Sequence, residues 1–227
     1  MMAEVRLIEI KENILEDNVN RADEIRARLA EKNVFMLNLM GSPGSGKTSL
    51  VLATLRGLRQ DTRCAVIEAD IDSMVDAEKV ALENVPAIQL RTGGACHVDA
   101  AMVEMGLREL DLDVLDLVTI ENVGNLVCPA EFDTGANKRV AILSVPEGDD
   151  KPLKYPLMFS VCDAIVISKI DCLPYFDFNI EKMKERVLKL NQSVRFFEVS
   201  CKTGEGVQGW LDWLRAEIGV SDRRLAA

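Results

Sequence analysis

The chain has 227 residues, of which 48% are hydrophobic and 5% aromatic, and its 27 basic and 37 acidic side chains give a formal net charge of −10. This composition is typical of a globular chain with an aliphatic core and excludes a disordered one. An acidic chain attracts neither phosphate backbones nor anionic lipid, so we expect no nucleic-acid and no membrane partner. Because no apolar run approaches the roughly 18 residues that span a bilayer and residues 1–11 lack a secretory pattern, we expect a cytoplasmic protein.

An N-terminal helical arm is predicted to precede a single main domain. Residues 13–32 carry apolar side chains at a helical period among many charges. No repeat and no linker rich in Pro, Gly or Ser divides the sequence after them. We therefore divide the chain into a helical arm (residues 1–32), a main domain (33–219) and a flexible tail (220–227).

The main domain is predicted to alternate buried strands with helices. Seven strands are predicted, over residues 34–40, 64–69, 87–90, 115–120, 139–145, 164–170 and 195–199. Helices are predicted over residues 48–59, 98–110, 180–190 and 207–218. This alternation implies an α/β fold with a mostly parallel seven-stranded sheet and helices on both faces. Ligands of such sheets bind beyond the carboxyl ends of the strands, so the functional residues are sought there.

A complete phosphate-binding motif follows the first predicted strand. Residues 41–48, Gly-Ser-Pro-Gly-Ser-Gly-Lys-Thr, match the P-loop pattern G-x-x-x-x-G-K-[ST]. Backbone N–H groups of such a loop converge on phosphate oxygens, Lys47 supplies a charge to the outer phosphates, and the Thr48 hydroxyl can ligate Mg²⁺. The sequence therefore predicts a P-loop nucleoside triphosphatase. The candidate phosphate-binding residues are Gly41, Ser42, Gly44, Ser45, Gly46, Lys47, Thr48 and Ser49.

Two later strand ends indicate that the base is guanine. Residues 168–171, Ser-Lys-Ile-Asp, and residues 200–202, Ser-Cys-Lys, stand where GTP-binding proteins carry Asn-Lys-x-Asp and Ser-Ala-Lys. The Asp171 carboxylate can accept both N1–H and the amino group of guanine, a donor pair that adenine lacks. Ser168 reaches less far than Asn, but Lys169 and Asp171 remain to read the base. The candidate base-binding residues are Lys169, Asp171, Ser200, Cys201 and Lys202.

Acidic residues after two strands are candidates for magnesium binding and hydrolysis. Glu121 follows the predicted strand 115–120 and stands three residues before Gly124, a pattern that resembles a switch that senses the γ-phosphate. A second acidic group could reach Mg²⁺ or the attacking water; it comprises Glu68, Asp70, Asp72 and Asp76.

A cysteine–histidine pair and a distant cysteine are candidate ligands for a soft metal ion. His97, the one histidine of the sequence, directly follows Cys96, and Cys128 comes later in the loop beyond Glu121. Thiolate and imidazole are ligands that Zn²⁺ and Ni²⁺ prefer. Cysteines of this kind are also common as small buried apolar side chains, and three ligands do not close a structural site. The spacing alone leaves both interpretations open.

Four segments resemble the HypB family of hydrogenase nickel-incorporation GTPases. They are the P-loop, residues 92–100 (Thr-Gly-Gly-Ala-Cys-His-Val-Asp-Ala), residues 121–129 (Glu-Asn-Val-Gly-Asn-Leu-Val-Cys-Pro) and residues 146–156 (Pro-Glu-Gly-Asp-Asp-Lys-Pro-Leu-Lys-Tyr-Pro). The resemblance extends from about residue 33 to residue 219. The related urease nickel-insertion GTPases share the P-loop, but this chain lacks their Cys-Pro-His metal motif.

The resemblance implies a SIMIBI-class P-loop GTPase that dimerises on GTP and binds Ni²⁺ or Zn²⁺. Its implied partners are a second copy of the chain, the nickel chaperone HypA and the [NiFe]-hydrogenase large-subunit precursor. In the matching positions, the family's metal site corresponds to Cys96, His97 and Cys128, and its switch region to Asp70 and Asp76. The resulting candidate catalytic residues are Lys47, Asp70, Asp76 and Glu121, and the candidate Mg²⁺ ligands are Thr48, Asp70 and Glu121.

Two expectations about mechanism accompany this interpretation. No Gln or Arg occupies an obvious water-orienting position beside the P-loop, so slow hydrolysis assisted by dimerisation is expected. Soft-metal sites usually have four ligands, so we expect two copies of Cys96 to share one ion in a two-fold dimer. The alternatives are a nickel-insertion GTPase for another nickel enzyme, a P-loop kinase or ATPase, and a scaffold with a structural zinc ion.

Overall fold

A seven-stranded, wholly parallel sheet forms the centre of the protein, in a computed structural model that describes residues 10–72 and 75–219. The strand order is β3-β2-β4-β1-β5-β6-β7, and each neighbouring pair is parallel. The strands are β1 (Phe35–Gly41), β2 (Cys64–Asp70), β3 (Ala87–Arg91), β4 (Leu117–Glu121), β5 (Lys138–Ser144), β6 (Ala164–Ser168) and β7 (Arg195–Val199). The predicted α/β fold is confirmed.

Helices connect the strands and cover both faces of the sheet. They are α1 (Ile10–Glu31), α2 (Lys47–Leu58), α3 (Val75–Ala81), α4 (Ala100–Arg108), α5 (Cys128–Glu131), α6 (Lys151–Lys154), α7 (Pro156–Ser160), α8 (Ile180–Leu188) and α9 (Val207–Ile218), with short 3₁₀ helices at Leu112–Val114, Val145–Glu147 and Ile170–Tyr175. None of the helices within the described ranges combines the length and the apolar character needed to cross a bilayer.

Several predicted boundaries differ from the structure, and local backbone geometry explains the differences. The strand predicted over 164–170 ends at Ser168, because Lys169 adopts a left-handed conformation (φ 60°) that a strand cannot continue. The strand predicted from residue 115 begins at Leu117, after a 3₁₀ turn in which the Asp111 side chain accepts from the backbone N–H of Asp113. Four helices were not predicted, namely α3, α5, α6 and α7, since one or two turns are too short to show a helical period.

The alternation of side chains along the strands divides the core between the two faces of the sheet. In β1, Leu37 and Leu39 pack with α2 and α9. Met36 points to the opposite face and packs with α1 and α4, while Met40 packs with α7 and α8 on that same face. The sheet is therefore covered on both sides, and its carboxyl edge is left for the loops that follow the strands.

The N-terminal arm is the helix α1, which belongs to the core of the folded chain. Its apolar side chains Ala22, Ile25 and Leu29 are buried in the layer that also contains α4. The division of the chain at residue 32 remains a prediction. The predicted tail, residues 220–227, lies outside the described residues, as do residues 1–9.

A half-buried ion pair ties the segment 146–156 to α8, and we expect Asp149→Asn to destabilise the protein. Asp149 Oδ1 accepts from Arg186 Nη1 (2.6 Å), and Oδ2 accepts from the backbone N–H of Asn179 (3.0 Å). Burial acts to raise the pKa of Asp149, but these two donors outweigh it and hold the pKa below its ordinary value. Near neutral pH the variant should lose about 1–2 kcal/mol of unfolding free energy, measured by denaturant unfolding.

The effect of Asp149→Asn should depend on pH. A carboxyl with a lowered pKa stabilises the fold above its unfolded value of about 3.9, and this contribution is lost as the pH falls through the folded pKa. The matched control is Asp150→Asn, since Asp150 pairs with Lys154 on the exposed surface, where ion pairs contribute little. Equal losses in the two variants, or a loss in Asp149→Asn that does not shrink as the pH falls below about 3.9, would contradict this account.

Candidate functional site

The P-loop joins β1 to the start of α2, as the motif predicts. Gly44 and Gly46 have positive φ angles of 75° and 101°, which favour glycine. At Gly41 a Cβ atom would lie 2.6 Å from the carbonyl oxygen of Ile142 on the neighbouring strand. The glycines therefore allow the loop to turn tightly against β5 and to present the N-terminus of α2 to an anion.

Lys47 lies under the loop, at the floor of a cleft of about 460 Å³. It is only 7% exposed, and its Nζ donates to the carbonyl oxygens of Gly41 (3.3 Å) and Ser42 (3.1 Å). Burial lowers the pKa of Lys47, while carboxylates, first among them Glu121, act in the opposite direction. Of the predicted phosphate-binding residues, Gly44, Gly46, Lys47, Thr48 and Ser49 line the cleft, whereas Gly41, Ser42 and Ser45 are not part of its lining.

Two buried carboxyl groups face each other beside Thr48. Glu68 and Glu121 occupy paired positions in β2 and β4, and Thr48 Oγ1 donates to Glu121 Oε1 (2.9 Å). Burial, followed by the neighbouring Glu121, raises the pKa of Glu68 well above its usual range. Glu68 Oε1 and Glu121 Oε2 are buried without a hydrogen-bond partner among residues 10–72 and 75–219. Two such oxygens beside a threonine hydroxyl fit a hard divalent cation such as Mg²⁺.

The other predicted catalytic carboxylates line the same cleft. Asp70 stands at the end of β2, where its Oδ1 accepts from the N–H of Asp72 (3.0 Å). Asp76, in α3, accepts from Lys79 Nζ (2.7 Å). Gln89 in β3, which the sequence did not mark as a water-orienting residue, also lines the cleft. Its amide nitrogen donates to backbone carbonyls, including that of Glu68. The structure thus brings Lys47, Thr48, Asp70, Asp76 and Glu121 to one cleft.

A second cavity, of about 290 Å³, lies beside the P-loop at the ends of β6 and β7. Its lining includes Lys169, Asp171, Cys201 and Lys202. Ser200 is buried behind them, and its Oγ donates to Asp171 Oδ1 (2.7 Å), which orients the carboxylate. The predicted base-binding residues therefore come together at one cavity, with Ser200 as a support.

Ser168 and Lys169 tie this cavity to the P-loop. Ser168 Oγ donates to the carbonyl oxygen of Ser45 (2.5 Å), and Lys169 Nζ donates to that of Gly44 (2.6 Å). Although Ser168 is shorter than the Asn of other GTP-binding proteins, it still reaches the phosphate loop.

The three predicted soft ligands form one cluster. Cys96 Sγ lies 2.9 Å from Cys128 Sγ and 4.0 Å from His97 Nδ1, and the ligand atoms all lie within 4.8 Å of one another. The His97 ring stacks on Phe132 at 3.8 Å between ring centroids. Burial lowers the pKa of His97, which favours the neutral imidazole that binds metals.

One short segment connects the cluster of Cys96, His97 and Cys128 to the P-loop. Asn125 donates its backbone N–H to the carbonyl oxygen of Gly41 (3.0 Å) and its Nδ2 to that of Cys96 (3.1 Å). Gly124 packs against Pro43 so closely that a Cβ atom would lie 2.8 Å from the Pro43 ring. Sequence reasoning missed Asn125 and Phe132, because an asparagine in a loop is an ordinary turn residue and nothing marks Phe132 as the partner of His97.

Comparison with known proteins identifies the family of the chain. Residues 35–198 match the family described as CobW/HypB/UreG, nucleotide-binding domain. The hydrogenase maturation factor HypB of Escherichia coli K12 is 43% identical over 216 residues, which are 95% of this chain and 74% of that protein. The hydrogenase/urease maturation factor HypB of Helicobacter hepaticus is 43% identical over 211 residues, 91% of this chain and 86% of that protein.

Solved structures show the same relationship. The crystal structure of HypB from Helicobacter pylori in complex with nickel has a TM-score of 0.85 and 38% identity, and it covers 89% of this chain and 95% of its own. HypB from Archaeoglobus fulgidus has a TM-score of 0.84 and 38% identity, with 90% and 100% of the two chains covered. A signal recognition particle protein from Aeropyrum pernix shares the fold alone, at 13% identity. The chain belongs to the HypB family of P-loop GTPases, the hydrogenase maturation factors.

Proposed function

We propose that this protein is a GTP-hydrolysing metallochaperone that inserts nickel during maturation of [NiFe]-hydrogenase. The observation that carries the proposal is the cluster of Cys96, His97 and Cys128, joined to the P-loop by Asn125. Its relatives are named as hydrogenase maturation factors, and one was crystallised with nickel. We propose HypA and the hydrogenase large-subunit precursor as the partners that supply and receive the metal.

GTP is the proposed substrate, with its phosphates over the P-loop and its base in the second cavity. Lys47 would stabilise charge on the outer phosphates, and Asp171 would read the guanine. Thr48, Asp70 and Glu121 would hold Mg²⁺, which neutralises charge on the phosphates when bound. Asp70 and Asp76 line the same cleft and are proposed to orient the attacking water.

A second copy of the chain is proposed to complete the metal site. One chain offers two thiolates and one imidazole, which are three ligands, whereas a closed Zn²⁺ site has four. Nitrogen and sulfur ligands of this kind also suit Ni²⁺. In a two-fold dimer the same patch of both subunits meets at the axis, so the two Cys96 thiolates would share one ion. GTP binding is proposed to favour this dimer, and hydrolysis to release the ion.

The contacts around Gly41 support coupling between nucleotide and metal. Its carbonyl oxygen accepts from both Lys47 Nζ and the backbone N–H of Asn125. A triphosphate would compete with Gly41 for Lys47, so its arrival would change the surroundings of Asn125. Because the Asn125 side chain holds the backbone of Cys96, the change would reach the metal ligand.

Titration of Ni²⁺ and Zn²⁺ in the presence of GDP or a nonhydrolysable GTP analogue tests the proposal. We expect metal affinities in the two nucleotide states to differ by about 5–150-fold, and linkage requires metal to change nucleotide affinity by the same factor. Cys96→Ala should lose metal binding while retaining GTP binding, and Asn125→Ala should bind metal with a smaller nucleotide dependence.

This titration, together with metal removal and a comparison of ATP with GTP binding, separates the proposal from its alternatives. Equal metal affinities in both nucleotide states, or full metal binding by Cys96→Ala, would contradict it. Unfolding of the protein when a chelator removes the ion would indicate a structural zinc site instead. Tighter binding of ATP than of GTP would indicate a kinase or an ATPase.

A further inference from the structure

Helix α1 contacts both segments that carry the candidate metal ligands. The side chain of Asn18, in the middle of α1, is 9% exposed, and both ends of its amide are hydrogen-bonded. Oδ1 accepts from the backbone N–H of Ala100 (2.8 Å), and Nδ2 donates to the backbone oxygen of Asp133 (2.9 Å). A buried amide with both bonds made fixes the separation of the two segments that it joins.

The two hydrogen-bond partners of Asn18 are close in sequence to the candidate metal ligands. Ala100 is the first residue of α4 and comes three residues after His97. Asp133 directly follows Phe132, whose ring stacks on His97, and it comes five residues after Cys128. Asn18 therefore bridges the segment of Cys96 and His97 to the segment of Cys128 and Phe132.

Further contacts from α1 hold the Asp133 segment in place. The Arg26 guanidinium donates to both carboxylate oxygens of Asp133 (3.0 and 3.1 Å), a bidentate pair with a defined geometry. At Gly135 a Cβ atom would lie 2.8 Å from the carbonyl oxygen of Ala22, so the segment runs directly against the helix. Burial acts to raise the pKa of Asp133, but hydrogen bonds from Arg26 and from the Gly135 N–H hold it below its ordinary value.

We infer that Asn18 is a positioning residue for the cargo-metal site, because its amide sets the distance between the two segments that carry the ligands. The inference rests on the proposed function, since it assumes that Cys96, His97 and Cys128 hold the metal. Groups that orient metal ligands from outside the coordination sphere typically change metal affinity by about 10–100-fold. Metal affinity would then depend on a helix that lies outside the predicted GTPase domain.

Titration of the 227-residue chain with Ni²⁺, in competition with a chromophoric chelator and at saturating GDP, tests this inference. We expect Asn18→Ala to weaken Ni²⁺ binding about 10–100-fold and to shift the thiolate-to-nickel charge-transfer absorption. GDP affinity should stay within about twofold, since both hydrogen bonds of the Asn18 amide go to the segments that carry the metal ligands. Should Asn18→Ala fail to fold, Asn18→Asp, which keeps an acceptor for Ala100 but cannot donate to Asp133, is expected to weaken binding in the same direction.

A stability-matched control separates positioning from general destabilisation. Leu29→Val removes one methylene group from the buried side of the same helix, and it should lower the melting temperature by about 2–4 °C while leaving Ni²⁺ affinity unchanged. Equal Ni²⁺ affinities in wild type and in a folded Asn18 variant, with Cys96→Ala unable to bind, would overturn the inference alone. Ni²⁺ binding that survives in Cys96→Ala would overturn the proposed metal site and the inference with it.

Discussion

Lys47→Ala is expected to lower GTP turnover by at least about 10²–10³-fold, the loss typical of removing one preorganised charge donor from a reaction that depends on electrostatic stabilisation. Lys47 is buried at the floor of the cleft and donates to two carbonyl oxygens of its own loop. Triphosphate oxygens would take over this donor, whereas alanine offers none. Phosphate release, measured over a range of protein concentrations, checks the expectation.

A second lysine of the same cleft provides the control for Lys47→Ala. Lys79 lies at the rim, half exposed, and pairs with Asp76. Lys79→Ala should therefore lower the turnover rate much less than Lys47→Ala does.

The dependence of the wild-type rate on protein concentration tests the proposed dimer. The rate per chain should rise with protein concentration, because dimerisation is proposed to assist hydrolysis. Brisk turnover by Lys47→Ala, or a fast wild-type rate that is independent of concentration, would contradict this account.

The sheet and the P-loop could be predicted because their signals are local in sequence. Most strands are short, largely aliphatic runs, whereas β7 (Arg195–Val199) is built around two phenylalanines. The long helices show an apolar period. The P-loop motif also specifies its own context, a strand before it and a helix after it. Strand ends were less predictable, since residues such as Lys169 leave the strand through their own backbone conformation.

The carboxyl pair beside Thr48 could not be predicted, because it depends on the lateral order of the strands. Glu68 and Glu121 become neighbours only because β2 pairs with β4 in one particular register. The sequence shows each glutamate at the end of an apolar run, and the number of residues between them gives no distance. The cluster of Cys96, His97 and Cys128 is similar, since Cys96 and Cys128 are 32 positions apart in the sequence and are brought together by the crossover that contains α4.

The contribution of α1 to the metal site could not be predicted from the sequence, for a different reason. Asn18 is one polar residue among the many charged residues of α1, and this composition is typical of a helix exposed to solvent. Its burial follows from the packing of Ala22, Ile25 and Leu29 against the sheet layer, which also brings its amide between two loops. Periodicity predicts which side of a helix is apolar, but it does not predict which polar residue at the border of that side becomes buried.

Asp171→Asn is expected to change the preferred base from guanine to xanthine. The Asp171 carboxylate can accept hydrogen bonds from N1–H and from the amino group of guanine. The NH₂ group of an asparagine would face that amino group donor to donor, whereas it can donate to the carbonyl that xanthine carries at the same position. Sites built around such hydrogen bonds reject mismatched bases strongly, so GTP affinity should fall by at least about 10²-fold. Competition between GTP, xanthosine triphosphate and ATP for a fluorescent nucleotide measures the change.

Ser200 supplies the matched control for this exchange of base. Its hydroxyl donates to Asp171 Oδ1 (2.7 Å) from a buried position at the end of β7, so it orients the carboxylate without lining the base cavity. Ser200→Ala should weaken GTP binding because the carboxylate is less well held, and it should give no preference for xanthine, because the acceptor remains a carboxylate. Unchanged GTP binding by Asp171→Asn would mean that the cavity beside Lys169 does not bind the base. A preference for xanthine in both variants would mean that orientation, and not the acceptor pair of Asp171, decides which base is bound.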